Sequence, residues 1–65
     1  MEIGTKVEAT AKSKHVGQTG TVVADYINML LVKADDEKYE LAHKNSIGEG
    51  KYFQLDSRAV KVLKD

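Results

Sequence analysis

The segment Val16–Val22, which reads Val-Gly-Gln-Thr-Gly-Thr-Val, constrains the fold more than any other part of the chain. Its two glycines, Gly17 and Gly20, stand three residues apart and lead directly into a β-branched run. Glycine adopts positive φ without the steric penalty of a Cβ, so this pair indicates a tight loop that enters a strand. At Gly20 we expect either a positive φ or packing too close for a side chain.

The length of the chain limits it to one small domain. Its 65 residues, taken as a single domain over 1–65, bury a modest core and leave little room for a deep catalytic cleft. The sequence contains no cysteine, which excludes disulfides, a thiolate nucleophile and a cysteine-bound zinc. Stability must therefore come from packing.

Alternation of apolar and polar residues predicts an all-β fold of five to six short antiparallel strands. We place the strands at about residues 5–11, 21–27, 29–34, 39–43, 51–55 and 60–63. A chain reversal is expected near Asn28, a loop over 45–50, and one helical turn over Asp56–Ala59 before the last strand. A helix across Met29–Val32 is the competing interpretation, but the flanking segments leave too few residues for one.

Aromatic and histidine residues are few. A small core needs large side chains, so at least two of the four aromatic residues should be buried; they are Tyr26, Tyr39, Tyr52 and Phe53. Tyr52 and Phe53 are neighbours in one predicted strand and should point to opposite faces, which makes one of them a candidate for exposure. The two histidines, His15 and His43, lack metal-ligand spacing, and we predict that both are solvated, with no metal or cofactor.

The charge balance does not indicate a partner by itself. Ten basic and ten acidic residues cancel, so net charge predicts no general attraction to phosphate. The charges are unevenly distributed along the chain. Residues 25–40 carry five acidic and two basic side chains, whereas residues 41–65 carry five basic and three acidic ones. No apolar run reaches the roughly 20 residues of a membrane span, and the sequence begins without an export signal. We expect a soluble, cytoplasmic protein.

The glycine segment, preceded by a strand around Lys6-Val7, resembles the KOW motif: an apolar residue, Gly, two variable residues, Gly, any residue and Val. The resemblance covers residues 5–34, about half of the chain. It implies a Src-homology-3-like small barrel, as found in ribosomal proteins and transcription elongation factors, and contact with RNA, DNA or their machinery. The resemblance implies that the functional residues lie in a loop that offers backbone N–H groups and some positive charge. These residues are Lys14, His15, Gly17, Gln18, Thr19 and Gly20.

Two hypotheses of function follow. The first is a non-catalytic binding module of the transcription or translation machinery that contacts nucleic acid or ribonucleoprotein. Its predicted site, whose basic residues should share one surface, comprises Lys12, Lys14, His15, Gly17, Gln18, Thr19, Gly20, Lys44 and Arg58. The second is a protein-interaction module, an adaptor or small inhibitor, that docks by a sheet edge or by Ile27, Met29 and Tyr52.

Catalysis is not predicted. Ser46, Ser57, the histidines and several carboxylates supply the residue types of a hydrolase, but nothing in their spacing suggests a triad. The first hypothesis is favoured by the KOW-like turn, and the second by the neutral net charge. The sequence leaves open which kind of partner makes the direct contact.

Overall fold

The computed structural model describes residues 1–44 and 48–63. Part of the predicted loop over 45–50, including Ser46, and residues 64–65 lie outside that range. The described residues form six strands, all β with no helix: β1 (Lys6–Ala9), β2 (Thr19–Asp25), β3 (Met29–Ala34), β4 (His43–Lys44), β5 (Lys51–Asp56) and β6 (Val60–Val62). The all-β prediction is confirmed for these residues.

The strands form one antiparallel sheet in the order β4-β5-β3-β2-β1-β6. Both edge strands are short, with two residues in β4 and three in β6. No pairing between them closes the sheet within the described residues. The sheet is strongly curled nonetheless, because the molecule measures 24 × 24 × 21 Å, whereas a flat layer would be only about 10 Å thick.

One hydrophobic core lies inside the curl. It is built from alternate residues of the strands together with Ala42, as the period of a half-buried strand requires; its members are Val7, Ala9, Val22, Leu30, Val32, Ala34, Ala42, Phe53 and Leu55. Burial of each large apolar side chain contributes about 1.5–3 kcal/mol. Since these side chains come from β1, β2, β3, β5 and the turn before β4 and meet in one cluster, they hold the sheet in its curved form.

Gly20 lies within β2, and close packing explains why glycine stands there. A Cβ at this position would lie 2.3 Å from the Lys33 carbonyl oxygen and 2.5 Å from Val32 Cγ1 on the neighbouring strand. Gly17, in contrast, has a positive φ of 87° and open space around it. The sequence prediction for Gly20 is confirmed through close packing, and the positive φ belongs to Gly17.

The strand boundaries agree with the predictions in most places. The predicted third strand coincides with β3, β1 is shorter than expected, and β2 begins two residues earlier. The fourth strand differs: residues 39–42 form turns, in which the Ala42 N–H donates to the Tyr39 carbonyl over 3.3 Å, and only His43–Lys44 pairs with β5.

The helical turn predicted over Asp56–Ala59 is also absent. These residues make a hydrogen-bonded turn in which the Ala59 N–H donates to the Asp56 carbonyl over 2.8 Å. The Asp56 carboxylate accepts the Arg58 N–H over 2.8 Å. An aspartate that binds the backbone two residues on favours a turn over a helix.

Tyr52 and Phe53 are both buried, at 4% and 2% exposure, so the expectation that one of them is exposed was wrong. Phe53 points into the core. The Tyr52 side chain is covered by the preceding segment, because its hydroxyl reaches the Glu49 carbonyl at 3.5 Å and lies close to Gly48. Alternation correctly predicts that the two side chains lie on opposite faces of β5. Other parts of the chain cover both faces.

Candidate functional site

The loop between β1 and β2, residues 10–18, carries most of the predicted site. Its ends are joined by two hydrogen bonds: the Ala9 N–H donates to the Gln18 carbonyl over 2.9 Å, and the Gly17 N–H donates to the Ala9 carbonyl over 3.1 Å. The Gln18 N–H donates to the His15 carbonyl over 3.0 Å. The expectation that this loop offers its backbone N–H groups to a ligand is therefore wrong at Gly17 and Gln18, which use them within the fold.

Thr19 and Gly20 are likewise part of the sheet. Thr19 pairs with Glu8 of β1, and its hydroxyl donates to the Asp35 carboxylate over 2.8 Å. Gly20 is buried against β3. Both residues therefore serve the packing of the sheet.

His15 is buried, at 5% exposure, and the expectation that it is solvated was wrong. Its ring packs at 4.7 Å from that of Phe53 and at 5.6 Å, edge-on, from that of Tyr39. Its Nδ1 shares a hydrogen bond of 2.8 Å with the Tyr39 hydroxyl. This three-ring cluster anchors the β1–β2 loop to the core.

The environment of the cluster favours neutral forms. Burial lowers the pKa of His15, and the nearby charges of Lys14 and His43 lower it further. Burial also raises the pKa of the Tyr39 hydroxyl. A neutral, buried imidazole brings little positive charge to a phosphate. His15 therefore serves the packing of the core.

Lys12 and Arg58 are brought together at the end of the molecule where the loop meets the turn before β6. Both line one open pocket with Asp56 and Ala59. The Asp56 carboxylate accepts a hydrogen bond from Arg58 Nε over 3.3 Å. Its pKa is lowered first by the Arg58 backbone N–H, then by the Arg58 side chain and also by the charge of Lys12. Two cations thus surround one carboxylate, leaving a net positive charge.

The other predicted basic residues line different pockets. Lys14 lies with His15 and His43 in a shallow pocket beside Phe53. Lys44 lies with Lys51 in a third pocket, where two carboxylates, those of Glu37 and Glu49, offset their charges. Of the lysine and arginine residues predicted for the site, Lys12 and Arg58 line the same pocket.

The tip of the β2–β3 hairpin is predicted only in part by the sequence. Tyr26 is 58% exposed and Ile27 is 85% exposed. Ile27 has a φ of 74°, which is a genuine outlier for a β-branched residue. The Asp25 carboxylate holds this turn by accepting the Ile27 N–H over 2.8 Å. The sequence predicts Ile27 as an apolar docking residue, whereas the exposure of Tyr26 becomes visible only in the structure.

The alternative docking set is only partly exposed. Ile27 is open to solvent, Met29 is half-buried and Tyr52 is buried.

The described residues hold no group of three or more histidine, cysteine or acidic side chains placed to bind a metal ion. Nor does any helix long and apolar enough to cross a membrane occur among them. No known protein family, curated protein or solved structure was found to match this chain.

Proposed function

We propose that the protein is a non-catalytic binding module that contacts the phosphate backbone of nucleic acid through Lys12 and Arg58. One observation carries the proposal: these two cations, from opposite ends of the sequence, line a single open pocket around Asp56. Cations that share one surface can follow a phosphate backbone, whereas scattered cations cannot. The pocket needs no metal or cofactor for this role.

Arg58 is well suited to the contact. Its side chain is 83% exposed, and among the described residues Asp56 engages the guanidinium through Nε. Such an exposed ion pair contributes little stability, so its main consequence is to restrain the direction of the guanidinium. A restrained planar guanidinium binds a phosphate through two parallel hydrogen bonds.

The KOW-like segment supports the same proposal. We infer that the curled sheet is a Src-homology-3-like barrel of KOW type, in which Gly20 permits the close approach of β2 and β3. That resemblance favours a cytoplasmic protein that works with the transcription or translation machinery. Only two cations share the pocket, so we expect modest affinity, in the range of about 10⁻⁴ to 10⁻⁶ M for non-specific binding.

The test is a fluorescence-anisotropy titration of labelled RNA and duplex DNA at several salt concentrations. The variant Lys12→Gln/Arg58→Gln removes both cations from the pocket. Its matched control, Lys6→Gln/Lys38→Gln, removes the same charge beside the acidic segment Asp35–Glu37, where Lys6 pairs with Asp35 at 3.4 Å. We expect the first variant to bind more weakly and its log K against log salt slope to flatten by roughly 0.7 to 0.9 for each lost phosphate contact. Equal behaviour of the two variants would contradict the proposal.

A protein-interaction module, an adaptor or small inhibitor, is the second candidate. The exposed and strained Ile27 favours it, because strain of about 1–3 kcal/mol at an exposed residue persists mainly at functional positions. Docking by a sheet edge is less favoured, since the two edge strands are very short. A partner captured from lysate that survives nuclease, with no nucleic-acid binding at low salt, would establish this candidate and exclude the first.

A further inference from the structure

We propose that the ring of Tyr26, at the tip of the β2–β3 hairpin, stacks on an unpaired base, so that the nucleic acid bound by the Lys12–Arg58 pocket is single-stranded. This inference rests on the proposed function. Tyr26 is 58% exposed, unlike the buried Tyr52 and Phe53, and therefore offers ring surface to a partner. Base–aromatic stacking contributes about 1–3 kcal/mol per base and tolerates any sequence.

Hydrogen bonds connect the hairpin tip to the pocket. The Tyr26 N–H donates to the Met29 carbonyl over 2.8 Å, and Met29 pairs with Asp56 on β5. The Ser57 N–H donates to the Asn28 carbonyl over 3.1 Å. Tyr26 and Asp56 are thus two strand spacings apart, roughly 10 Å. One strand of nucleic acid can reach both the ring and the cations.

The tip is also restrained before any partner binds. Besides the Tyr26 N–H, the Asn28 N–H is engaged, donating to the Tyr26 carbonyl over 2.9 Å. The Asp25 carboxylate fixes the Ile27 N–H on the other side. A restrained backbone loses little conformational entropy on binding, which favours stacking by the ring that it carries.

Charge complementarity favours nucleic acid over a protein partner. The hairpin tip exposes Tyr26 and Ile27, with Met1 held close by the ion pair between the N-terminus and Asp25. A stable protein interface buries about 800 Å² on each partner, a large share of the total 4564 Å² of this molecule. The neighbouring surface is an open pocket lined by two cations and one carboxylate, and charged groups are depleted at the centre of protein interfaces. An exposed ring two strand spacings from a pocket with two cations instead matches the aromatic and basic groups that bind single strands. A duplex offers no free base face to the ring.

The experiment compares a labelled oligothymidylate of about ten nucleotides, a length within the site sizes of small single-strand-binding domains, with its duplex form. The Tyr26→Ala variant should bind the single strand roughly 5- to 150-fold more weakly, with an unchanged salt slope. Tyr26→Phe keeps the ring and should retain wild-type affinity. Binding of the duplex should be the same for all three proteins.

A second measurement uses Tyr26→Trp, which introduces the only tryptophan of the chain. Its fluorescence should be quenched when oligothymidylate binds. Wild-type affinity in Tyr26→Ala, or no quenching in Tyr26→Trp, would overturn this inference while leaving salt-dependent binding through Lys12 and Arg58 intact. If the wild type binds neither form of DNA and Tyr26→Ala abolishes capture of a protein, the proposed function fails as well.

Discussion

The Nδ1 atom of His15 lies 2.8 Å from the hydroxyl oxygen of Tyr39, a residue 24 positions further along the chain. This hydrogen bond fastens the β1–β2 loop to the turn segment before β4. The ring of Phe53 packs against both partners, at 4.7 Å from His15 and 5.8 Å from Tyr39. The loop that carries Lys12 is thereby fixed to the core through a titratable group.

The burial of His15 predicts an acid-sensitive stability. Because the fold lowers the pKa of His15 below its ordinary 6.5, the unfolded chain binds a proton more readily than the folded one. The stability is fully present above pH 6.5 and falls as the pH decreases below that value toward the lowered pKa. We expect the urea midpoint of the wild type to decrease between about pH 8 and pH 5, and that of His15→Phe to stay level.

Asp25 and Asp56 act outside this window. The fold lowers the pKa of each below its ordinary 3.8, so their contributions are lost only at more acidic pH. All other titratable groups are retained in His15→Phe, so the comparison isolates His15. A parallel decrease of the two midpoints would show that His15 does not carry the acid sensitivity.

Gly20 should tolerate no side chain. The Cβ of Gly20→Ala would meet the Lys33 carbonyl oxygen at 2.3 Å, and a backbone atom cannot move aside cheaply. We expect a loss of about 1–3 kcal/mol in the free energy of unfolding, with a larger loss for Gly20→Val. Gly17→Asn is the control, because this position needs only a positive φ, which asparagine accepts. Urea denaturation with equal midpoints for Gly20→Ala and the wild type would disprove the close packing.

Ile27 should be a source of backbone strain. Ile27→Asn places a residue that accepts positive φ at the same position and loses little packing, since Ile27 is 85% exposed. Stability should increase by about 1 kcal/mol. Ile27→Val, which remains β-branched, should leave it unchanged. If thermal unfolding shows the same stability for Asn and Val at this position, the turn carries no strain.

Thr10 contributes an unsatisfied hydroxyl. Its Oγ1 is buried without a hydrogen-bond partner among the described residues, although its N–H donates to the Ala59 carbonyl over 3.0 Å. Thr10→Val should stabilise the protein by about 1 kcal/mol, because it removes a buried polar group. Thr19→Val should destabilise it, since the Thr19 hydroxyl is bonded to Asp35. Chemical denaturation of both variants checks the contrast, and a loss of stability in Thr10→Val would refute it.

Local patterns predict the parts of this fold that depend on local chemistry. The third strand coincides with β3 because an apolar run stands between a turn at Asn28 and the acidic segment. The restriction at Gly20 is likewise visible, since a glycine pair before a strand indicates close approach of backbone. The alternating residues 39–42 are misleading, because Tyr39 turns toward His15 instead of joining the sheet.

The candidate site depends on contacts between distant residues. The alternation of apolar and polar residues does not show that the turn after β5 meets the loop after β1. That Lys12 and Arg58 line the same pocket is therefore visible only in the structure. The burial of His15 depends on rings supplied by Tyr39 and Phe53. A polar stretch from Lys12 to His15 reads as a solvated loop, and nothing within it signals an inward-facing imidazole.

An NMR titration of the ¹⁵N-labelled protein with oligothymidylate at low salt tests the contact with nucleic acid most directly. We expect the largest amide shift changes at Lys12, Tyr26 and Arg58, and we expect these changes to disappear as salt is raised. Residues in and beside the acidic segment, such as Asp36 and Lys38, should not shift. Absence of shift changes, or changes centred on Lys44 and Lys51 instead, would show that Lys12 and Arg58 do not form the binding site.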